Sequence, residues 1–438
     1  MKTPICDFVR RYADSGAARF HMPGHKGVGD MERYDITEIC GADSLYEAEG
    51  VIAESEANAS EIFGCRTFYS TEGSSQCIRA MLFLALQRAG QRRKSPVVVA
   101  GRNAHKVFLS AAALLDLGIR WLYPSEETSY LSCDVDLREL EKELKESNAF
   151  AVYITSPDYL GNVADISKIS AICRKYGAEL IVDNAHGAYL KHLSPSLHPI
   201  ELGASMCCDS AHKTLPVLTG GAYLHLSNEI DSENVKEALA LFGSTSPSYL
   251  ILQSLDRANI RMAEEYVNEL RELCGKIDAL KHDLSELGYR IVGNEPLKIT
   301  VSAKEYGYYG YEIAEYLRNN GVECEFSDPD HVVLMISTDN TDADINTLEK
   351  LMRELPQKAP VNEKPPVPAV AEVVMSVREA MFSPCEKVAV KDSIGRVLAD
   401  ASVGCPPAVP IVVCGERIDA DAIRCFEYYG VEYCLVVK

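Results

Sequence analysis

The sequence predicts an α/β fold: a mostly parallel sheet with helices on both faces, followed by a smaller C-terminal α+β region. Three observations carry this reading. Between about residues 50 and 225, short apolar runs alternate with stretches whose apolar positions recur at helical spacing. Apolar strands separated by amphipathic helices imply parallel pairing, with the sheet covered on both sides. At 438 residues the chain is also too long for one small core, so two or three domains are expected.

The elements follow in order. Residues 1–49 read as an N-terminal arm, whose first thirty or so residues end in the polar, glycine-rich "RFHMPGHKGVGD". Residues 50–257 form the large domain. "EGVIAESEANASEIFG" is its first helix, and "SSQCIRAMLFLALQRAG" is a longer one behind a Ser/Gly entry. The strands are "VVVA" at 97, "AVYIT" at 151, "LIVD" at 180 and "AYLHL" at 222, and "ASMCC" is a further apolar stretch. "DISKISAICRKYG" is a helix with Asp165 at its start and Gly177 at its end. Residues 258–355 form a small α/β domain. It opens with one long helix or two, broken around Gly275, and continues with strands "LKITVSA" and "HVVLMIST" flanking a helix at 311–319. Residues 355–370 carry five prolines, and 356–370 read as an extended linker. Residues 371–438 are a terminal segment mixing helix and strand.

Bulk properties exclude several classes. Composition is that of an ordinary globular protein, with 47% hydrophobic and 25% charged residues. No apolar run reaches the ~18 residues of a membrane-spanning helix, and the first residues lack a hydrophobic signal core and read as part of the mature chain. Fifteen cysteines without a CxxC pair point to reduced thiols in a cytosol, not to a disulfide framework. A net charge of −20 repels phosphate backbones, so nucleic acid is excluded as a partner, and it favours the approach of a small cation.

In an open parallel sheet, ligands collect at the carboxyl ends of the strands. Each predicted strand end here carries polar, reactive groups. "VVVA" leads into "GRNAHK" with His105, and "AVYIT" into "SPDYLG". "LIV" leads into "DNAHGAY" with Asp183 and His186, and "ASMCC" into "DSAHKT" with Ser210, His212 and Lys213. "STEGSSQ" at 70–76 sets Gly73, Ser74 and Ser75 before a helix. That is either an anion cradle or simple N-capping. No GxxxxGK[ST] is present, so the anion need not belong to ATP or GTP. A phosphate cradle, a strand-end aspartate and a later lysine fit pyridoxal 5'-phosphate. That cofactor needs an amine for a Schiff base (Lys213), an anion beside its pyridine nitrogen (Asp183) and an imidazole on its ring face (His105). Zinc binding through His21 and His25 is disfavoured. Pro23 and Gly24 spoil a helical pair, no third ligand is apparent, and no metal is expected.

These segments occur in a recognisable order. "FHMPGHKG", "GADSLYEAEGVI", "STEGSSQ", "NAHK", "ITSPDYLG", "VDNAHGAY", "SAHKTLPVLTGGAYLH" and "STSPSYLILQSLD" resemble the Orn/Lys/Arg decarboxylase family in its compact bacterial form. The resemblance is strong over about residues 18–260 and weaker in "CPPAVPIVVCGERI". It implies the type I PLP-dependent transferase fold (aspartate aminotransferase-like), in homodimers or higher homo-oligomers with active sites at the interface. It implies a cytoplasmic enzyme that decarboxylates arginine, lysine or ornithine to a polyamine-type amine. By the same resemblance Lys213 is the Schiff-base lysine, Asp183 the pyridine-nitrogen partner and His105 the ring-stacking histidine. Ser74 and Ser75 match the phosphate-binding pair, with Ser210 and His212 beside the same group. Thr245 and Ser246 match a further phosphate contact, made within the chain or across the subunit interface, and His186 lies near the cofactor–lysine linkage, where it or Lys213 can return a proton.

The sequence departs from the family pattern at Val107, at Asn184, and at "PAVP" and "VCGE" in the C-terminal loop. Asp43, Glu47 and Glu416, in segments that resemble the family's active-site regions, are candidates for reading the far end of a basic substrate; the alternative for each is an exposed acid with no ligand. Two other classes stay open: a different reaction on the same scaffold, such as transamination or aldol-type cleavage, and a non-catalytic binding protein that keeps the fold.

Overall fold

The computed structural model describes residues 1–90, 96–124, 131–132, 134–367, 369–401, 404–405 and 409–438. Pro368 of the expected linker, and Pro407 and Ala408 of "PAVP", lie outside the described residues.

In chain order the N-terminal half runs through helix α1 (Pro4–Asp14), α2 (Val51–Phe63), strand β1 (Arg66–Ser70), α3 (Ser74–Ala89), β2 (Val97–Gly101), α4 (Lys106–Leu115) and β3 (Gly118–Leu122). It continues through α5 (Leu137–Ser147), β4 (Ala151–Thr155), α6 (Ile166–Tyr176), β5 (Glu179–Asp183), β6 (Met206–Asp209), α7 (Ala211–Thr214) and β7 (Ala222–Leu226). Then come α8 (Val235–Phe242), α9 (Tyr249–Glu264), α10 (Tyr266–Glu286), β8 (Arg290–Val292), β9 (Lys298–Ser302), α11 (Gly310–Asn319), β10 (Phe326–Ser327), β11 (His331–Met335) and α12 (Asp342–Glu354). The chain closes with α13 (Val377–Phe382), β12 (Cys385–Ala389), β13 (Gly404–Cys405), β14 (Val409–Pro410), α14 (Ala420–Tyr428) and β15 (Tyr433–Val437).

The chain divides into two compact units that do not follow chain order. The first comprises Met1–Arg92 and Ile166–Arg271, the second Arg93–Asp165 and Glu272–Lys438. In the first unit four strands lie in the order β1-β7-β6-β5. β5 and β6 are parallel, and β7 runs antiparallel to both of its neighbours. β6 and β7 are buried at every position, as strands covered on both faces should be. Helix α3 buries Gln76, Cys77, Ile78, Met81, Leu82 and Leu84, so it is an interior helix and not a surface one. Gly177 ends α6 at φ +69°, as its place after "ICRKY" predicts.

In the second unit β4, β2 and β3 are parallel neighbours in that order. A separate antiparallel sheet, β10-β11-β9-β8, packs against α11. The C-terminal region adds two small antiparallel pairs, β12 with β15 and β13 with β14. The proline-rich stretch after α12 has no regular secondary structure, but it is docked. Lys358 N–H donates to Tyr306 O at 3.2 Å, and Val361 N–H to Lys304 O at 2.9 Å.

The break expected at Gly275 falls earlier, at Glu265 between α9 and α10. A β-carbon at Gly275 would meet nothing within 4 Å, so this glycine sits on an open helix face. There its cost is about 1 kcal/mol relative to alanine, too little to end a 21-residue helix that is held by buried leucines.

Candidate active site

The first unit gathers most of the predicted residues at one sheet edge. β5 and β6 are parallel and paired Asp183 to Cys208, so the segments following them emerge side by side. From β5 come Asp183 and, one turn on, His186. From β6 come Ser210 and the short helix that carries His212 and Lys213. Lys213 Nζ lies 2.9 Å from His186 Nε2. Asp183 is buried. Its Oδ1 accepts the Ala185 N–H at 3.2 Å and lies 3.8 Å from Cys208 Sγ.

The predicted anion cradle also assembles. Ser210 Oγ donates to Ser74 Oγ at 2.9 Å, joining the end of β6 to the first turn of α3. Gly73 precedes that turn at φ +70°, and its N–H donates to Gly220 O at 2.8 Å. A β-carbon built on Gly73 would find no atom nearer than Ser75 N at 4.0 Å, so open space lies before the helix. The first-turn N–H groups of any helix have no intrahelical acceptor, and here they belong to Ser74 and Ser75. Gly220 and Gly221 are needed where they stand. Gly220 has φ +98°, with Thr71 O 2.9 Å from its would-be β-carbon, and a side chain at Gly221 would overlap Val217. His212 turns its Nδ1 to Gly221 O at 3.0 Å. Thr245 and Ser246 lie exposed in the loop before α9. That loop reaches the cradle segment through Ser244, whose N–H donates to Glu72 Oε1 at 3.3 Å.

His105 belongs to the second unit. It caps α4, with its Nδ1 accepting the Val107 N–H at 3.3 Å. The three acids considered for substrate recognition have definite positions. Asp43, at φ +75°, caps α2. Its two oxygens accept backbone N–H groups from Ser44, Glu49, Gly50, Ile52 and Ala53 at 2.8–3.3 Å. Burial opposes ionisation there, but those N–H groups outweigh it and hold the carboxyl below its usual range. Glu47 is exposed on a 3-10 turn. Glu416 is buried against Arg102, with Oε2 3.6 Å from Nη2, and burial pushes its carboxyl up.

Two groups escaped the sequence reading. Arg102, just beyond β2, sends its guanidinium to Pro410 O (2.6 Å) and Ile411 O (3.0 Å), fastening the C-terminal loop of its own unit. Asp209, the last residue of β6, is fully buried and accepts from Asn184, His198 and His225. The available signal was His225, a polar residue inside the apolar strand "AYLHL", which must find a buried partner. His21 and His25, set aside as zinc ligands, engage Tyr12 OH (2.5 Å) and Asp35 Oδ2 (3.1 Å). A cavity of about 600 Å³ in the first unit is lined by Arg10, Tyr34, Leu218, Arg257 and Arg261 among others. It contains none of the strand-end residues, and its arginines suit an anion, not a basic amino acid.

The major-domain model of the Orn/Lys/Arg decarboxylases matches residues 3–287, and the C-terminal-domain model matches 350–432. The chain belongs to the Orn/Lys/Arg decarboxylase family. It is an amino acid decarboxylase. Arginine decarboxylase of Halalkalibacterium halodurans is 28% identical over 95% of this chain and 91% of its own. The constitutive lysine decarboxylase of E. coli superposes with a TM-score of 0.81 at 16% identity, covering 100% of this chain and 82% of its own. The lysine decarboxylase of Francisella novicida gives 0.82 at 16%, covering 100% and 81%. These structures establish the type I fold for this decarboxylase. The strand-end residues from Gly73 to Ser246 fall inside the matched major domain, and Glu416 falls inside the matched C-terminal domain. Among the described residues, no helix is long and apolar enough to cross a membrane.

Proposed function

We propose that this decarboxylase uses pyridoxal 5'-phosphate to convert a basic L-amino acid (arginine, lysine or ornithine) to its amine and CO₂. The observation that carries the proposal is the Lys213–His186 contact at 2.9 Å, made where Asp183 and the Gly73–Ser74–Ser210 cradle emerge from adjacent segments. The donor set fits the cofactor. Open space beside Gly73, the bonded Ser74 and Ser210 hydroxyls and the first-turn N–H groups of α3 together suit a phosphate dianion. Asp183 supplies a buried carboxylate for a protonated pyridine nitrogen.

When bound, the cofactor supplies an electron sink for the pair left on the substrate α-carbon as CO₂ departs. The chain's residues do the rest. Ser74, Ser75, Ser210 and His212 anchor the phosphate, with Thr245 and Ser246 as a further contact. Asp183 keeps the ring nitrogen protonated, and His105 holds the ring plane. Lys213 offers its amine, and His186, within hydrogen-bond reach, takes the proton that leaves that amine neutral. Lys213 or His186 then returns a proton to the α-carbon. A net charge of −20 favours cationic substrates, and relatives named arginine decarboxylase make arginine the first to test. Fifteen cysteines without a CxxC pair suit a reducing cytoplasm, and we propose that the enzyme works there as a homodimer or higher homo-oligomer.

The test supplies arginine, lysine and ornithine separately, with cofactor, and measures CO₂ and the amine formed. One of them should give both in equal amounts. Transfer of the amino group without CO₂ would instead favour transamination on the same scaffold.

A further inference from the structure

Asp209 closes the strand "MCCD" with none of its surface exposed. A buried carboxylate costs several kcal/mol unless its oxygens are matched by donors. Here both are. Asn184 Nδ2 donates to Oδ1 at 2.6 Å, and His198 Nε2 and His225 Nε2 reach Oδ2 at 3.3 and 3.2 Å. His225 is tied in turn to Thr67 Oγ1 at 2.9 Å. The carboxylate therefore gathers the segment after β5, the loop around residue 198, β7 and, through Thr67, β1.

Its neighbours in the chain are what give this cluster a role. Asn184 follows Asp183, and Asp209 precedes Ser210. The Asn184–Asp209 bond thus links the two strand ends by side chains, beside the backbone bond from Asn184 N–H to Cys208 O at 3.0 Å. A side chain at Gly187 would overlap Asn184 Oδ1, so the amide lies against the residue next to His186.

We infer that Asp209, with Asn184, is a positioning residue that locks Asp183 and Ser210 in mutual register. This rests on reading those two residues as cofactor ligands. The hydrogen-bond account is preferred to a metal site, although His198, Cys207 and Asp209 lie within coordinating reach of one another. Asp209 Oδ2 already receives two imidazoles, and its Oδ1 takes the Asn184 amide.

The test uses the full chain and pyridoxal phosphate, titrated by its visible absorbance, with thermal midpoints recorded in parallel. Asp209→Asn should raise the apparent cofactor Kd about tenfold or more, the scale of one lost charge-assisted hydrogen bond. Asn184→Ala, which leaves both histidines on Asp209, should raise it by roughly 3- to 10-fold. Wild-type cofactor affinity in both Asp209→Asn and Asn184→Ala, even with lowered midpoints, would overturn the inference. If Asp209→Asn does not fold, Asn184→Ala alone decides. A wild-type band that survives Lys213→Ala would sink the cofactor reading itself, and this inference with it. A Lys213-dependent band with normal affinity in both variants sinks only this inference.

Discussion

Replacing Arg102 by leucine tests the buried clamp on the C-terminal loop. Arg102 and Glu416 are 3% and 2% exposed, and the guanidinium serves two carbonyls as well as the carboxylate. Without it, Glu416 stays buried with the Val413 N–H at 2.7 Å on Oε2 and, among the described residues, no hydrogen-bond partner on Oε1. Breaking one side of a buried pair costs about 3–5 kcal/mol, and the two carbonyls also lose a charged donor. A loss of about 4 kcal/mol is expected near pH 8. The deficit should shrink as pH falls. Burial already raises the Glu416 carboxyl, and Arg102 is the charge opposing that rise. Removing Arg102 raises it further, so the folded state binds the proton more tightly than the unfolded state. Stability is then regained as pH drops below the folded value and lost as pH rises through it. Trp121, the single tryptophan, lies 5.3 Å from the guanidinium in the same unit, so its fluorescence in urea reports this unit's unfolding. The double variant Arg102→Leu/Glu416→Leu should lose less than the two single variants together. A loss below about 1 kcal/mol in Arg102→Leu, or a loss that ignores pH, would refute the reasoning.

Two further outcomes follow from groups in the first unit. Asp256, held by Ser55 Oγ and the Cys6 N–H, is pushed up by burial from 3.8 to about 6. Its stabilising contribution is complete below about pH 3.8 and is lost as pH rises through about 6. Asp256→Asn should therefore gain on the wild type by up to about 3 kcal/mol between pH 4 and pH 7, read by denaturant titration at each pH. A pH-independent difference would contradict that. Asp43→Ala strips five backbone N–H groups of their acceptor and should cost about 2 kcal/mol. It should leave the ratio of kcat/KM between basic amino acids unchanged, since its carboxylate is consumed by the α2 cap. A changed ratio would return Asp43 to the substrate pocket.

What was legible in the sequence had local signals. Strand ends are marked by apolar runs giving way to polar residues, so Asp183, His186, Ser210 and Lys213 could be placed together before any coordinates. The Gly-Ser-Ser entry to α3 is marked in the same way. Pairings across the fold leave no such trace. Asp209 stands inside "DSAHKT", yet its partners His198 and Asn184 come from separate segments, and nothing local says that His225 reaches it. Arg102 reads as an ordinary loop cation because the carbonyls it binds lie some three hundred residues away. Asp43 could be read only as a candidate substrate acid or as an acid with no ligand, because one carboxylate in a loop looks like another until its five backbone donors are seen. Gly275 misled for the opposite reason. Its local signal was real, but the buried face of α10 outweighed it.

Lys213, beside His186, is proposed to hold pyridoxal phosphate for decarboxylation. The most direct measurement is the absorbance spectrum of the purified protein with and without the cofactor, for wild type and Lys213→Ala, with CO₂ followed as arginine is added. The account predicts a visible band in the wild type that Lys213→Ala abolishes, together with CO₂ release that the same substitution reduces by at least about a thousandfold. A folded protein that shows no band when supplied with cofactor, or a band and turnover indifferent to Lys213, would contradict it.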